Sequence, residues 1–141
     1  MSVRLYRTTS EEDTIELGRK IATELARPCL ILLIGNLGAG KTTLTKGIVS
    51  GLGVVDADEV SSPTYTVIHE YGNDVYHIDL YRLEKPEEVV LLGLDEMFDR
   101  GAVMLVEWGE AYKRVLPRTS PVEIRIRTES DDRVIEISGL D

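Results

Sequence analysis

Gly35-Asn36-Leu37-Gly38-Ala39-Gly40-Lys41-Thr42, with Thr43 behind it, decides the fold. The stretch reads G-x-x-x-x-G-K-[ST], and its surroundings are those the pattern requires. The apolar run Cys29 to Ile34 ends directly on Gly35, and Thr42 to Val49 continues with helical spacing, so a buried strand, a tight loop and a helix are expected in that order. Glycines let the backbone turn back and aim successive N–H groups at an anion, at the positive end of the helix dipole. In such a loop Lys41 reaches the β- and γ-phosphates of a nucleotide as a point charge, and the Thr42 hydroxyl joins the coordination shell of Mg²⁺. The plain structural alternative is a glycine-rich connection with no ligand.

A chain of 141 residues is expected to form one domain over its whole length, with a single sheet carrying the site. Its 16 basic residues stand against 25 acidic ones, a formal charge of −9, so its surface field repels phosphate backbones and argues against non-specific nucleic-acid binding. Positive potential must therefore be local to the loop. The single cysteine, Cys29, lies within the strand run and reads as a small buried hydrophobe in a reducing compartment. Met1 to Asp13 is polar and mixed in charge, without the apolar core of a secretory signal. No apolar run approaches the roughly 20 residues a membrane-spanning helix needs. A soluble, cytoplasmic protein is expected.

Taken in order, Val3-Arg4-Leu5-Tyr6 predicts a short edge strand, and Ser10 is a natural N-cap for a helix running to about Ala26. Ile15, Gly18, Ile21, Ala22 and Leu25 mark one face of that helix. The helix after the glycine loop closes near Gly51 or Gly53. Ser61-Ser62-Pro63-Thr64-Tyr65-Thr66 reads as a loop, since Pro63 drives Ser62 toward an extended conformation. A threonine in the setting of Thr64 can sense a γ-phosphate or its metal, and a capped surface loop explains it equally well. Val67 to Tyr71 and Val75 to Asp79 predict a hairpin, and Pro86 and the Asp95 to Phe98 segment predict two short helices. Val122 to Thr128 and Arg133 to Ser138 predict a closing hairpin. The fold expected from these elements is a three-layer α/β sandwich of the phosphate-loop kind, its central sheet mixed and mostly parallel.

Two acids stand where strands end. Ala102 to Val106 is a continuous apolar run ending in Glu107, the form of a buried parallel strand that delivers a carboxylate to the ligand edge. In the earlier strand His77 and Asp79 share one face, with Tyr76, Ile78 and Leu80 on the other. Asp79 can meet Mg²⁺ or polarise a water, whereas His77 reads better as part of a solvated hairpin face. Trp108, the only tryptophan, either fills core space or packs near a nucleotide or a partner.

Absences narrow the class. There is no guanine-reading N-K-x-D segment, and no Asp three residues before any Gly, so neither signature expected of a GTPase is present. The segments GNLGAGKTT, SSPTYT, HIDLYRL and VEWGE, in that order, resemble the bacterial TsaE family, the ATPase component of tRNA threonylcarbamoyladenosine biosynthesis. The resemblance covers nearly the whole chain, with Asn36 where the family often has Asp. It implies ATP and ADP held by Gly38, Ala39, Gly40, Lys41, Thr42 and Thr43, and Mg²⁺ bound by Thr42 and Glu107. It implies Lys41, Asp79 and Glu107 as catalytic, with Asp79 beside the metal or the attacking water, Thr64 in a switch-like loop, and Trp108 as functionally sensitive. Thr9 and Arg133 would border the nucleotide. The implied partners are TsaD and TsaB, with tRNA the pathway's substrate rather than a direct ligand of so acidic a chain. Two other classes fit the loop: a small-molecule kinase, for which no second basic cluster is evident as an acceptor site, and a nucleotide-gated binding module with incidental hydrolysis.

Overall fold

The computed structural model describes residues 3–36, 38–54, 67–72 and 74–140. Seven strands form one sheet in the order β1-β7-β6-β2-β5-β4-β3. β2 (Cys29–Ile34) is central, paired in parallel with β5 (Val103–Glu107) on one side and β6 (Val122–Glu129) on the other. Every residue of β5 is buried, because a strand covered on both faces needs apolar side chains in both directions. β4 (Val75–Asp79) runs parallel to β5, and the hairpin partner β3 (Ile68–Glu70) closes that edge. β7 (Asp132–Ser138) returns antiparallel to β6, and β1 (Val3–Thr8) pairs antiparallel with β7 at the opposite edge. The sheet is therefore mixed: the three parallel pairings lie together in its middle and the three antiparallel ones flank them.

Alternation along the strands feeds two cores. Leu33, Leu105, Ile124 and Ile135 face α1 (Glu11–Ala22) and α2 (Lys41–Gly51), meeting Leu17, Ile21, Leu44 and Ile48. Leu32, Ile78, Met104 and Val106 face the other way, under α3 (Pro86–Val90) and α4 (Leu94–Asp99). These are the three expected layers. On the first face the helices touch backbone to backbone: a Cβ at Gly47 would lie 2.1 Å from the Ile15 carbonyl oxygen, and one at Gly18 would lie 2.6 Å from that of Leu44. That contact locks the middle of α1 against the middle of α2.

The predicted elements are present with shifted ends. Ser10 caps α1, its hydroxyl accepting from the Asp13 N–H at 3.1 Å. The helix stops at Ala22 rather than near Ala26, because the N–H groups of Thr23, Glu24 and Leu25 reach carbonyls three residues back and tighten the chain out of the α pattern. A 3₁₀ segment, Glu110–Val115, follows β5 and carries no helical apolar period that would announce it. The expected loop Ser61 to Thr66, with Thr64, lies outside the described residues.

Candidate functional site

Chain direction alone gathers the site at one sheet edge. β2, β4, β5 and β6 run the same way, so Gly35 and the glycine loop, Asp79, Glu107 and the Ser130–Asp131 turn all emerge together. β1 points the same way, since both it and β6 oppose β7, and it brings Thr8 opposite Arg133. A hollow of about 490 Å³ opens there, walled by the loop, Glu107, Asp131, Arg133 and the β1–α1 junction.

The loop uses its glycines where side chains would fail. Gly38 and Gly40 have φ of 80° and 107°, in the left-handed region that glycine enters freely. At Gly35 a Cβ would stand 2.6 Å from the Ile126 carbonyl oxygen. Gly40 is the N-cap of α2 and has no side chain to satisfy the first N–H groups of the helix, which have no intrahelical acceptor. Ala39 is buried behind the loop, while Gly38, Gly40, Lys41, Thr42 and Thr43 line the hollow.

Lys41 is only 5% exposed. Its Nζ lies 3.5 Å from Glu107 Oε1 and 4.4 Å from the centre of the Trp108 ring, a cation over a π face. Trp108 takes φ of 62° directly after β5, an uncommon conformation for a bulky residue, and its ring leans on Tyr81 at 5.1 Å. Thus the tryptophan belongs to the site rather than only to the core.

Glu107 is the buried carboxylate of the group, with its other oxygen, Oε2, 2.5 Å from His77 Nε2. Burial pushes its carboxyl up, but the hydrogen bond and charge of His77 and the charge of Lys41 outweigh this and hold it below the usual glutamate value. Asp79, opposite Glu107 in the register, accepts from the Tyr81 N–H at 2.9 Å. Its carboxyl is raised, by burial first and by the charge of Glu107 in addition.

The expectation of a solvated His77 is corrected here. The imidazole is fully buried, because β4 is an inner strand with β5 on its other side, and the face His77 shares with Val75 lies against the α1–α2 core. Thr9 does not line the hollow; its hydroxyl and N–H are spent on the Asp13 carboxylate at 2.7 and 3.1 Å. The neighbouring Thr8, Ser10, Glu11 and Thr14 line that wall, with Thr8 and Thr14 joined through their hydroxyls at 2.7 Å. Arg133 borders the loop, its Nε 3.5 Å from where a Cβ on Gly40 would sit.

Among the described residues no group of three or more His, Cys, Asp or Glu side chains could cage a metal. Among the side chains that line the hollow are the Thr42 hydroxyl, in the first turn of α2, and the Glu107 carboxylate, at the end of β5, two hard oxygen donors. That set suits Mg²⁺, which keeps waters and takes phosphate oxygens instead of filling its shell from protein.

A mixed α/β sheet with a glycine loop between its central strand and the helix that follows places the chain in a class it shares with solved structures. One is the crystal structure of Bacillus subtilis YdiB, similar with a TM-score of 0.78 and 33% sequence identity over 99% of this chain and 87% of that one. The model of the family described as "Threonylcarbamoyl adenosine biosynthesis protein TsaE" matches residues 8–135, and the chain belongs to the TsaE family. Relatives named tRNA threonylcarbamoyladenosine biosynthesis protein TsaE include that of Bacillus subtilis, 42% identical over 96% of this chain and 85% of its own length. The Haemophilus influenzae protein is 41% identical over 86% and 76%, and that of Streptomyces coelicolor 43% identical over 89% of both. No helix among the described residues is long and apolar enough to cross a membrane.

Proposed function

We propose that this protein binds and hydrolyses ATP with Mg²⁺, and that its ATP cycle serves tRNA threonylcarbamoyladenosine biosynthesis by acting on a complex of TsaB and TsaD. The observation that carries the reading is Lys41: a buried ammonium at the N-terminus of α2, beside N–H groups without intrahelical partners, opening into a hollow of nucleotide size. An anion arriving there meets the helix dipole, the loop N–H groups and one positive charge.

In this reading Lys41 leaves Glu107 for the β- and γ-phosphates, and the loop N–H groups hold the phosphate chain. Thr42 and Glu107 would hold Mg²⁺, which neutralises charge on the phosphate oxygens when bound. Asp79, with one oxygen fixed by the Tyr81 N–H, orients the attacking water and draws on its proton. Arg133, beside Gly40, and the wall from Thr8 to Thr14 contact the rest of the nucleotide. Trp108 loses the ammonium from its ring face when Lys41 moves to phosphate, so its surroundings change on loading.

A free chain with Lys41 tied to Glu107 and Trp108 should turn over slowly, and docking should accelerate it. Steady-state ATP turnover should rise at least about tenfold on addition of the TsaB–TsaD complex, well within the roughly 10³ to 10⁵ that a single partner-supplied arginine can be worth. Fast turnover by the free chain, indifferent to that complex, would overturn the coupling and favour a kinase.

A further inference from the structure

His77 is the group in this site that the ATP reading leaves without a task. It is 0% exposed, Nε2 lies 2.5 Å from Glu107 Oε2, and among the described residues Nδ1 has no hydrogen-bond partner. As core filling this is a poor choice: a buried ring with an orphaned nitrogen carries a desolvation cost that leucine would avoid. The cost has a return only through Nε2. Glu107 is an ionised acceptor facing Lys41, so the proton of the short contact belongs to the imidazole, and Nε2–H donates to Oε2.

We propose that His77 is a positioning residue for Glu107, fixing the carboxylate for the cation assigned to Thr42 and Glu107 under the proposed function, on which this inference rests. The two donors that bracket Glu107 differ in kind. Lys41 belongs to the loop and is claimed by phosphate once nucleotide binds, whereas His77 sits inside β4, which pairs with β3 on one side and β5 on the other. When Lys41 leaves, His77 is the contact that keeps the carboxylate from turning. Partners of ligating groups typically change metal affinity by about 10- to 100-fold when removed.

The test is calorimetric binding of a non-hydrolysable ATP analogue, without metal and over graded Mg²⁺, to the full chain and to His77→Leu, His77→Gln, His77→Asn and Glu107→Ala. Glutamine sets an N–H where Nε2 stood, and asparagine sets one only where Nδ1 stood. Metal-free affinity should stay within about twofold in the His77 variants, while the Mg²⁺ midpoint rises about tenfold in His77→Leu and His77→Asn and returns to within about threefold of the parent in His77→Gln. An unshifted midpoint in His77→Leu, or a His77→Gln no better than His77→Leu, overturns the inference while a shifted Glu107→Ala keeps the metal assignment standing. A Glu107→Ala midpoint equal to the parent's defeats that assignment and this inference with it. If the His77 variants do not fold, nitrogen NMR of the parent imidazole decides: a proton on Nε2 is expected, and an Nε2 without one overturns the proposal.

Discussion

The carboxyl ends of β4 and β5 lie side by side with Asp79 opposite Glu107, and the two acids are held in opposite electrostatic settings. Glu107 is the more deeply buried, yet His77 and Lys41 together outweigh the desolvation and keep its carboxyl low. Asp79 has the Tyr81 N–H and the repulsion of Glu107, and burial leaves its carboxyl raised. Partners, and not depth, separate them. Environments that drive neighbouring carboxylates to different affinities for a proton also give them different chemistry: one stays ionised and suits a cation, the other holds a proton more readily and suits work on water.

The largest effect should follow from erasing that difference in reactivity. Asp79→Asn keeps an oxygen for the Tyr81 N–H but cannot take a proton, so turnover should fall about a hundredfold or more while Mg²⁺-dependent binding stays near that of the parent. Single-turnover hydrolysis beside a binding titration checks this, and unimpaired hydrolysis would remove Asp79 from the chemistry.

A smaller and signed effect concerns stability. Glu107 titrates lower folded than unfolded, where a glutamate lies near about 4.3, so its contribution is complete above that range and is lost as pH falls through the folded value. Asp79 titrates higher folded than unfolded, so its charge penalises the fold at neutral pH and the penalty is relieved on acidification. Thermal melts at neutral pH should show Glu107→Gln less stable than the parent and Asp79→Asn more stable, the latter by about a degree or two. The Asp79 difference should fade first, as the pH falls toward about 4, and the Glu107 difference only as it falls below about 4. Differences of the same sign would mean that the two acids are not in contrasting environments.

The difference between these strand ends was only half legible in the sequence. Glu107 closes an apolar run, and the glycine pattern at Gly35 to Thr42 fixes the loop between β2 and α2; both are local signals, and the structure has them where local spacing put them. His77 carried the same kind of signal, a shared face with Asp79, but alternation says which residues lie together and not which face becomes covered. Coverage came from pairing with β5 and from the helices packed by Gly18 and Gly47, contacts distant in sequence. The wall of the hollow shows the same limit. A threonine at the chain's start was expected beside the nucleotide at Thr9, whereas Thr9 serves Asp13 and it is Thr8, ending β1 on the inner face, that lines the hollow.

Everything proposed for this site depends on Lys41, held between Glu107 and Trp108, being the charge that receives phosphate, and the decisive measurement is calorimetry of ATP binding to the parent and to Lys41→Ala. Removing the charge should weaken ATP by about a hundredfold or more, since charge-assisted contacts to phosphate are the strongest the loop can make, while the melting transition remains cooperative. Equal ATP affinity in a folded Lys41→Ala chain would mean that the phosphates are held elsewhere.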